Sequence, residues 1–273
     1  MEWLWKLLSS PSETLPATCQ TQSDKLSSLP IELLIQILVH VDVAQVFRLR
    51  RLSHRFNSVL TSTSFAASTV SLIEHNGSHN QSNIDSLFFN APPLFQRAIA
   101  RRCLGKEVSF VRTRVPFIVP LPGAIGSCTL LTTLSLTNSS FCGRIPSEIG
   151  LLKALEVIVF RYNSFSGAIP SELYTLVNLK RLVLSNNLLT DVLSPDVGNL
   201  EKLVTLSIDC NRLTGVLPKE LGLLKQLKVF DLNDNCFQGP VPIEICGLKE
   251  LQMMNAVDNA GLTSSFDFAP LYL

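Results

Sequence analysis

The sequence predicts an α/β solenoid, a stack of near-identical units sharing one parallel β-sheet, with a small helical module in front. Three observations predict it. Leu recurs every 24 residues at Leu131, Leu155, Leu179, Leu203, Leu227 and Leu251, without insertion. Within each unit, two further apolar residues stand two apart. A ninth-place Asn (Ser139 in the first unit) then closes the run, and in most units Gly and Pro follow. Self-similarity at a fixed period of roughly 20–50 residues marks a repeat architecture, in which each unit touches mainly its neighbours.

The two apolar places, fourth and sixth, read Leu134, Ile158, Leu182, Leu206, Phe230, Met254 and Leu136, Phe160, Leu184, Ile208, Leu232, Ala256. Apolar residues two apart give a short strand with one buried face. The ninth place reads Ser139, Asn163, Asn187, Asn211, Asn235 and Asn259. Its amide can satisfy backbone groups that the bend after the strand leaves unpaired, and stacked amides can form a ladder. Gly143, Gly167, Gly215 and Gly239 supply a tight bend. Pro146, Pro170, Pro218 and Pro242 then set an extended return path. In the third unit Asp191 replaces the Gly, and Ser194-Pro195 shifts the Pro by one, which predicts a local irregularity on the convex side. A weaker copy precedes the first: Phe110, Phe117, Leu121, Pro122 and Ile125 fall one period before their counterparts. The solenoid is expected over 107–262.

This pattern resembles the leucine-rich-repeat family, specifically its plant-type subclass, which reads roughly LxxLxLxxNxLxGxIPxxLxxLxx. The clearest copies here are LEVIVFRYNSFSGAIPSELYTLVN and LVTLSIDCNRLTGVLPKELGLLKQ. The resemblance implies a leucine-rich-repeat horseshoe with a parallel β-sheet on its concave face. The paired-cysteine cap common in secreted members is missing. A helix over 93–106, basic through Arg97, Arg101 and Arg102, is expected to cover the first repeat. The tail, 263–273, is expected to fold over the other end.

Residues 1–25 read as a flexible start. Over 26–65, Leu29, Leu33, Leu34, Ile37, Leu38 and Val41 lie at helical spacing, with Pro30 suited to a first turn. Asp42 can cap a second helix whose face carries Val46, Leu49, Leu52, Phe56 and Val59. The Leu-Pro-x-Glu-Leu-Leu opening, the Ile-Leu that follows and the Leu-Ser-x-x-Phe close resemble an F-box. That resemblance implies a three-helix module docking on the Skp-family adaptor of a cullin-based SCF ubiquitin ligase. The contacts carried over are Leu29, Pro30, Glu32, Leu33, Leu34, Ile37, Leu38, Leu52, Ser53 and Phe56, the last where many members have Trp. A purely structural helical cap is the other reading of the same stretch.

The remaining composition narrows the function classes. With 23 basic and 22 acidic residues the net charge is +1, so no global field draws nucleic acid or an anionic membrane. The seven cysteines are odd in number and form no CxxC pair, the pattern of reduced thiols in a cytoplasmic or nuclear protein. MEWLWKLLSS is broken by Lys6 and lacks a positive leading region, so a cleaved signal is not expected, and no apolar run suits a spanning helix. A polar linker over 66–92 reads as a flexible loop where Ser, Asn and His dominate. His75 and His79 there have no partners at metal-ligand spacing. The sequons at Asn76, Asn80 and Asn138 matter only in a secreted protein. No GxSxG, HExxH, P-loop or GxGxxG is present, and nothing assembles a nucleophile with a base. The sequence therefore predicts a non-enzyme with no cofactor and no metal.

Binding is expected on the concave face, where the third, fifth and seventh places of each unit point away from the core and the eighth lies at the edge. Its candidate contacts are Arg161, Tyr162, Arg181, Asp209, Asp231, Asn233, Asp234 and Asn255, basic in early units and acidic in later ones. Taken together, the two resemblances imply an SCF substrate adaptor, with an unknown protein target on the repeats. The same features leave two alternatives: an intracellular scaffold whose F-box-like module is a cap, and an extracellular or membrane-associated recognition protein.

Overall fold

The structure is a computed structural model that describes residues 65–66, 85, 88–89, 91, 93–115, 118–263 and 271–272. The F-box-like stretch lies outside the described residues except for its last residue, Phe65, and so do Phe117 and the His-rich loop. The chain divides into two compact units, Met1–Leu104 and Gly105–Leu273.

In the first unit an α-helix, Pro93–Ile99, runs into a short π-helical turn, Ala100–Leu104. Its buried residues are Phe95, Ile99, Ala100 and Leu104, with Phe65 edge-on to Phe95 at 5.4 Å. Of the helix expected over 93–106, residues 93 to 104 are helical, and they belong to the N-terminal unit. Phe88, Phe89 and Ala91 are buried as well, so the end of the 66–92 linker is apolar anchor rather than polar loop.

The second unit is the solenoid. Its larger sheet has eight parallel strands: Ser109–Thr113, Thr133–Thr137, Val157–Val159, Arg181–Val183, Thr205–Ser207, Val229–Asp231, Met253–Asn255 and Leu271–Tyr272. Through the first seven the register is the sequence period itself, as in Leu134↔Ile158↔Leu182↔Leu206↔Phe230↔Met254. The weak first copy holds this register, with Phe110 paired to Leu134. The eighth strand comes from the C-terminal tail, where Leu271 and Tyr272 pair with Met254 and Asn255. The tail thus extends the sheet.

The fourth- and sixth-place residues are fully buried, and the ninth-place ladder forms as expected. Each Asn Nδ2 donates to the sixth-place carbonyl of the unit before, and to the sixth- and seventh-place carbonyls of its own unit. Its Oδ1 accepts the eleventh-place N–H of the unit before. For Asn211 these partners are Leu184, Ile208, Asp209 and Leu189, all at 3.0 Å. Asn163, Asn187, Asn235 and Asn259 repeat the set. Ser139 substitutes at the start, its Oγ accepting from the Val115 N–H and donating to the Thr137 carbonyl.

Six 3-10 turns line the return path at the same 24-residue step, from Gly123–Ser127 to Ile243–Gly247. Pro precedes five of them. In the third unit Ser194 adopts the backbone angles of the missing Pro, φ −64° and ψ 142°, and its Oγ accepts the Asp196 N–H. The turn therefore keeps its place, and the irregularity falls elsewhere. Asp191 takes the left-handed conformation of the Gly it replaces, φ 68° against 72–80° in the others. A second sheet also breaks here. Its four-stranded part ends at Leu188–Leu189, its three-stranded part begins at Thr214–Gly215, and one bridge, Val192 to Thr214, links the third unit to the next.

Tyr174 accounts for the adjustment. At the equivalent Gly126, Gly150, Gly198 and Gly222, a Cβ would come within 3.0 Å of the next unit's acidic residue. Tyr174 stands in that place, 1% exposed, and its neighbouring unit is the irregular one. Burial pushes its phenol well above the usual range; the Ser194 backbone opposes the shift and Asp196 adds to it. Accommodating a whole aromatic ring where the other units leave no room for a methyl requires the third unit to depart from the pattern.

Replacing Asn211 with Ala strips the Leu189 N–H of its acceptor in a buried place. A group left unsatisfied in this way costs about 1–3 kcal/mol, and the lost donors add to it, so we expect a loss on the order of 3 kcal/mol in denaturant unfolding. A loss below about 1 kcal/mol would show that the ladder is dispensable.

Candidate interaction surface

The large sheet leaves its third, fifth and seventh places exposed or partly buried except at Val183, Ser185 and Asp209, which are buried, while from Leu134 to Ala256 the fourth and sixth places are buried throughout. The eighth place does more than mark an edge. Arg114, Asn138, Tyr162, Asn186, Cys210, Asp234 and Asp258 all adopt positive φ, between 50° and 59°. This left-handed conformation costs a non-glycine residue roughly 1–2 kcal/mol, least for Asn and Asp. In the first six the solenoid holds it by pairing the N–H to the seventh-place carbonyl of the following unit, as from Tyr162 to Ser185 at 3.1 Å and from Asp234 to Val257 at 3.0 Å. Sequence alone hides this constraint, because Arg, Tyr and Cys are not residues that select left-handed backbone.

The candidate contacts separate into groups. Arg161 is exposed and lies with its guanidinium 4.7 Å above the ring of Tyr162, which is itself 48% exposed. The backbone constraint fixes the ring, and the ring orients the cation. Arg181 is also exposed but stands at the opening of its strand, four places before the Arg161 register, so the two arginines do not form one patch.

The later units carry a connected polar set. Ser185 Oγ donates to Asp209 Oδ1 at 2.5 Å, Ser207 Oγ donates to the same oxygen at 2.8 Å, and the two hydroxyls lie 3.0 Å apart. Asp209 is only 7% exposed and Ser185 only 1%. Asp209 is therefore corrected from an open contact to a buried anchor, because its carboxylate is taken up by a hydroxyl of its own unit, Ser207, and one of the unit before, Ser185. Ser207 is the member that sequence reading missed; it stands two residues before Asp209, and the strand's period of two, which puts both on one face, was the signal that could have found it.

Asp231 is half-buried and accepts the Asn233 N–H at 3.4 Å, and Asn255 Nδ2 donates to Asn233 Oδ1 at 3.3 Å. Burial raises the Asp231 carboxyl above its ordinary value and the Asp209 charge adds to this, while the Asn233 N–H, Arg161 and Asn255 oppose it. Asp234 is exposed at the rim. Burial, reinforced by Asp209 and Asp234, also pushes the Cys210 thiol up to about 11. Among the described residues, no group of His, Cys, Asp or Glu could hold a metal ion, and no helix is long and apolar enough to cross a membrane.

Comparison with known proteins agrees with this geometry. The F-box domain model matches residues 26–67, and two leucine-rich-repeat models match 178–200 and 201–260. The chain thus carries an F-box domain and leucine-rich repeats, and the pairing supports a protein-interaction module. No curated protein matches it. Among solved structures it is similar to the ectodomain of the plant membrane receptor kinase GASSHO1/SCHENGEN3 from Arabidopsis thaliana in complex with CASPARIAN STRIP INTEGRITY FACTOR 2. That match has 29% identity and a TM-score of 0.57, covering 66% of this chain and 23% of that one. The Arabidopsis receptor kinase HAESA, in complex with the peptide hormone IDA and the co-receptor SERK1, matches at 27% identity and a TM-score of 0.53, covering 65% and 32%. A pollen receptor kinase 3 matches at 28% identity and a TM-score of 0.54, covering 59% and 77%. The chain spans about a quarter to a third of the two Arabidopsis ectodomains.

The raised carboxyl of Asp231 has a consequence for stability. A carboxyl raised in the fold favours the protonated native state. Its stabilising contribution is fully present below the ordinary value of 3.8 and is lost as pH rises through the raised value. Asp231→Asn is expected to raise the melting temperature at about pH 7 and to leave it unchanged at about pH 3. Thermal melts of both proteins at the two pH values check this.

Proposed function

We propose that this protein is a substrate-recognition adaptor of an SCF-type ubiquitin ligase. The F-box domain binds a Skp-family adaptor, which links the chain to a cullin, and the concave face of the repeats holds the protein to be ubiquitylated. The protein acts by binding, without catalysis or a cofactor of its own, in the cytoplasm or nucleus. The observation that supports this reading is the order of the two modules on one chain, an F-box at 26–67 followed by leucine-rich repeats. The similar receptor structures with a bound peptide hormone or integrity factor lend support to polypeptide recognition by such repeats.

Capture of a Skp-family protein by the intact chain tests it. Leu29→Ala with Pro30→Ala is expected to reduce capture tenfold or more, while Asp231→Asn leaves it unchanged. Failure of the intact chain to bind any Skp-family protein rejects the adaptor reading.

One observation favours a second reading, an extracellular recognition protein: the similar solved structures include receptor ectodomains. Asn138, in a sequon, is exposed at the eighth place, open to an attached glycan. Peptide mass mapping of protein from its native source is expected to find Asn138 unmodified; a glycan there would favour the extracellular reading.

A further inference from the structure

We propose that the concave sheet takes an extended segment of the target protein carrying one anion and one cation about five residues apart, the anion at Arg161 and the cation at Asp231. This rests on the reading that the repeats hold a protein target, and it specifies the chemistry of that target.

The two ends of the site are built differently and carry opposite charge. At one end the Arg161 guanidinium lies over the Tyr162 ring, whose left-handed backbone is fixed by its hydrogen bond to the next unit. A guanidinium laid on a ring keeps its N–H edges for a planar acceptor, and a carboxylate accepts two of them at once. No ion pair to Arg161 occurs among the described residues. At the other end Asp209 is buried under two serine hydroxyls, with no basic side chain paired to it among the described residues. Its charge adds to that of Asp231, which opens onto the face. Hydroxyls disperse a carboxylate charge but do not cancel it, and although the Arg161 charge reaches Asp231 no ion pair forms there among the described residues, so a cation from outside is still favoured at this end.

Charge complementarity selects the occupant. A uniformly acidic segment is repelled at Asp231 and a uniformly basic one at Arg161. An apolar segment would strip water from both without replacing it. Arg161 and Asp231 are three strands apart and two places apart along the strand. At about 4.8 Å between strands and about 3.3 Å per residue along them, their backbones are roughly 16 Å apart, which an extended chain covers in about five residues.

Selection of random twelve-residue peptides by display against the full-length chain tests this, with no ligase component present. Selected peptides are expected to pair Asp or Glu with Lys or Arg four to six residues apart, in one order. The double variant R161E/D231K is expected to select the reverse order. R161S/D231S, which adds no new charge, is expected to lose the charge requirement, and thermal melts verify that both variants fold. Selection of peptides without such pairs, an unchanged order in R161E/D231K, or no enrichment by the intact chain overturns the proposal. Skp-family capture, measured separately, depends on the F-box alone, so failure of one reading is distinguishable from failure of the other.

Discussion

The ninth-place amide ladder is the constraint on which the rest of the solenoid depends. Each Asn ties its own strand end to the unit before by one donated and one accepted bond, and closes its own bend with donations to two further carbonyls, as Asn211 does in a buried place. One unit cannot bury its apolar residues alone, so stacking must be exact to the residue. The amide enforces this, because a shift of one residue would leave several backbone groups unpaired at once. Apolar packing then follows the register. Phe141 and Phe165, one period apart, stack with parallel rings 6.1 Å from centre to centre.

The same rigidity gives the concave face its chemistry. Because the backbone of the eighth-place residues through Asp234 is held left-handed by the following unit, even Tyr162 adopts a conformation it would not choose alone. Strain of this kind persists where the surroundings over-determine it. The result is an aromatic ring in a set position with a cation above it. Further along, the period brings Ser185 onto Asp209 beside Ser207 of the same unit, and a surface that would otherwise be a scatter of polar residues becomes an ordered set with a negative end. The solenoid thereby spaces two opposite charges at a fixed distance. That is the property a recognition surface requires, since binding then carries little cost of ordering its own side chains.

The departures are as informative as the pattern. Tyr174 fills a place that is Gly in most other units, and the unit after it carries Asp191, Ser194 and Pro195 in place of the regular residues. Backbone angles show why this is tolerated: Asp191 reproduces the left-handed Gly, and Ser194 reproduces the extended Pro while adding a cap of its own. A stack of units absorbs such a change locally, because each unit answers only to its neighbours, and the large sheet runs through it unbroken.

By itself the sequence determined the repeat and its register. A 24-residue period with alternating apolar places leaves one way to stack strands, and the F-box pattern stands in adjacent residues where it can be read directly. The ladder was legible for the same reason, since an amide at one fixed place has one geometric use. Tertiary structure decided what depends on neighbours in space. It took Asp209 off the open surface by setting Ser185, 24 residues away, against it, and it assigned 93–104 to the N-terminal unit and the tail strand to the sheet. Each is set by which residues meet in space, and local sequence carries no preference at such a distance.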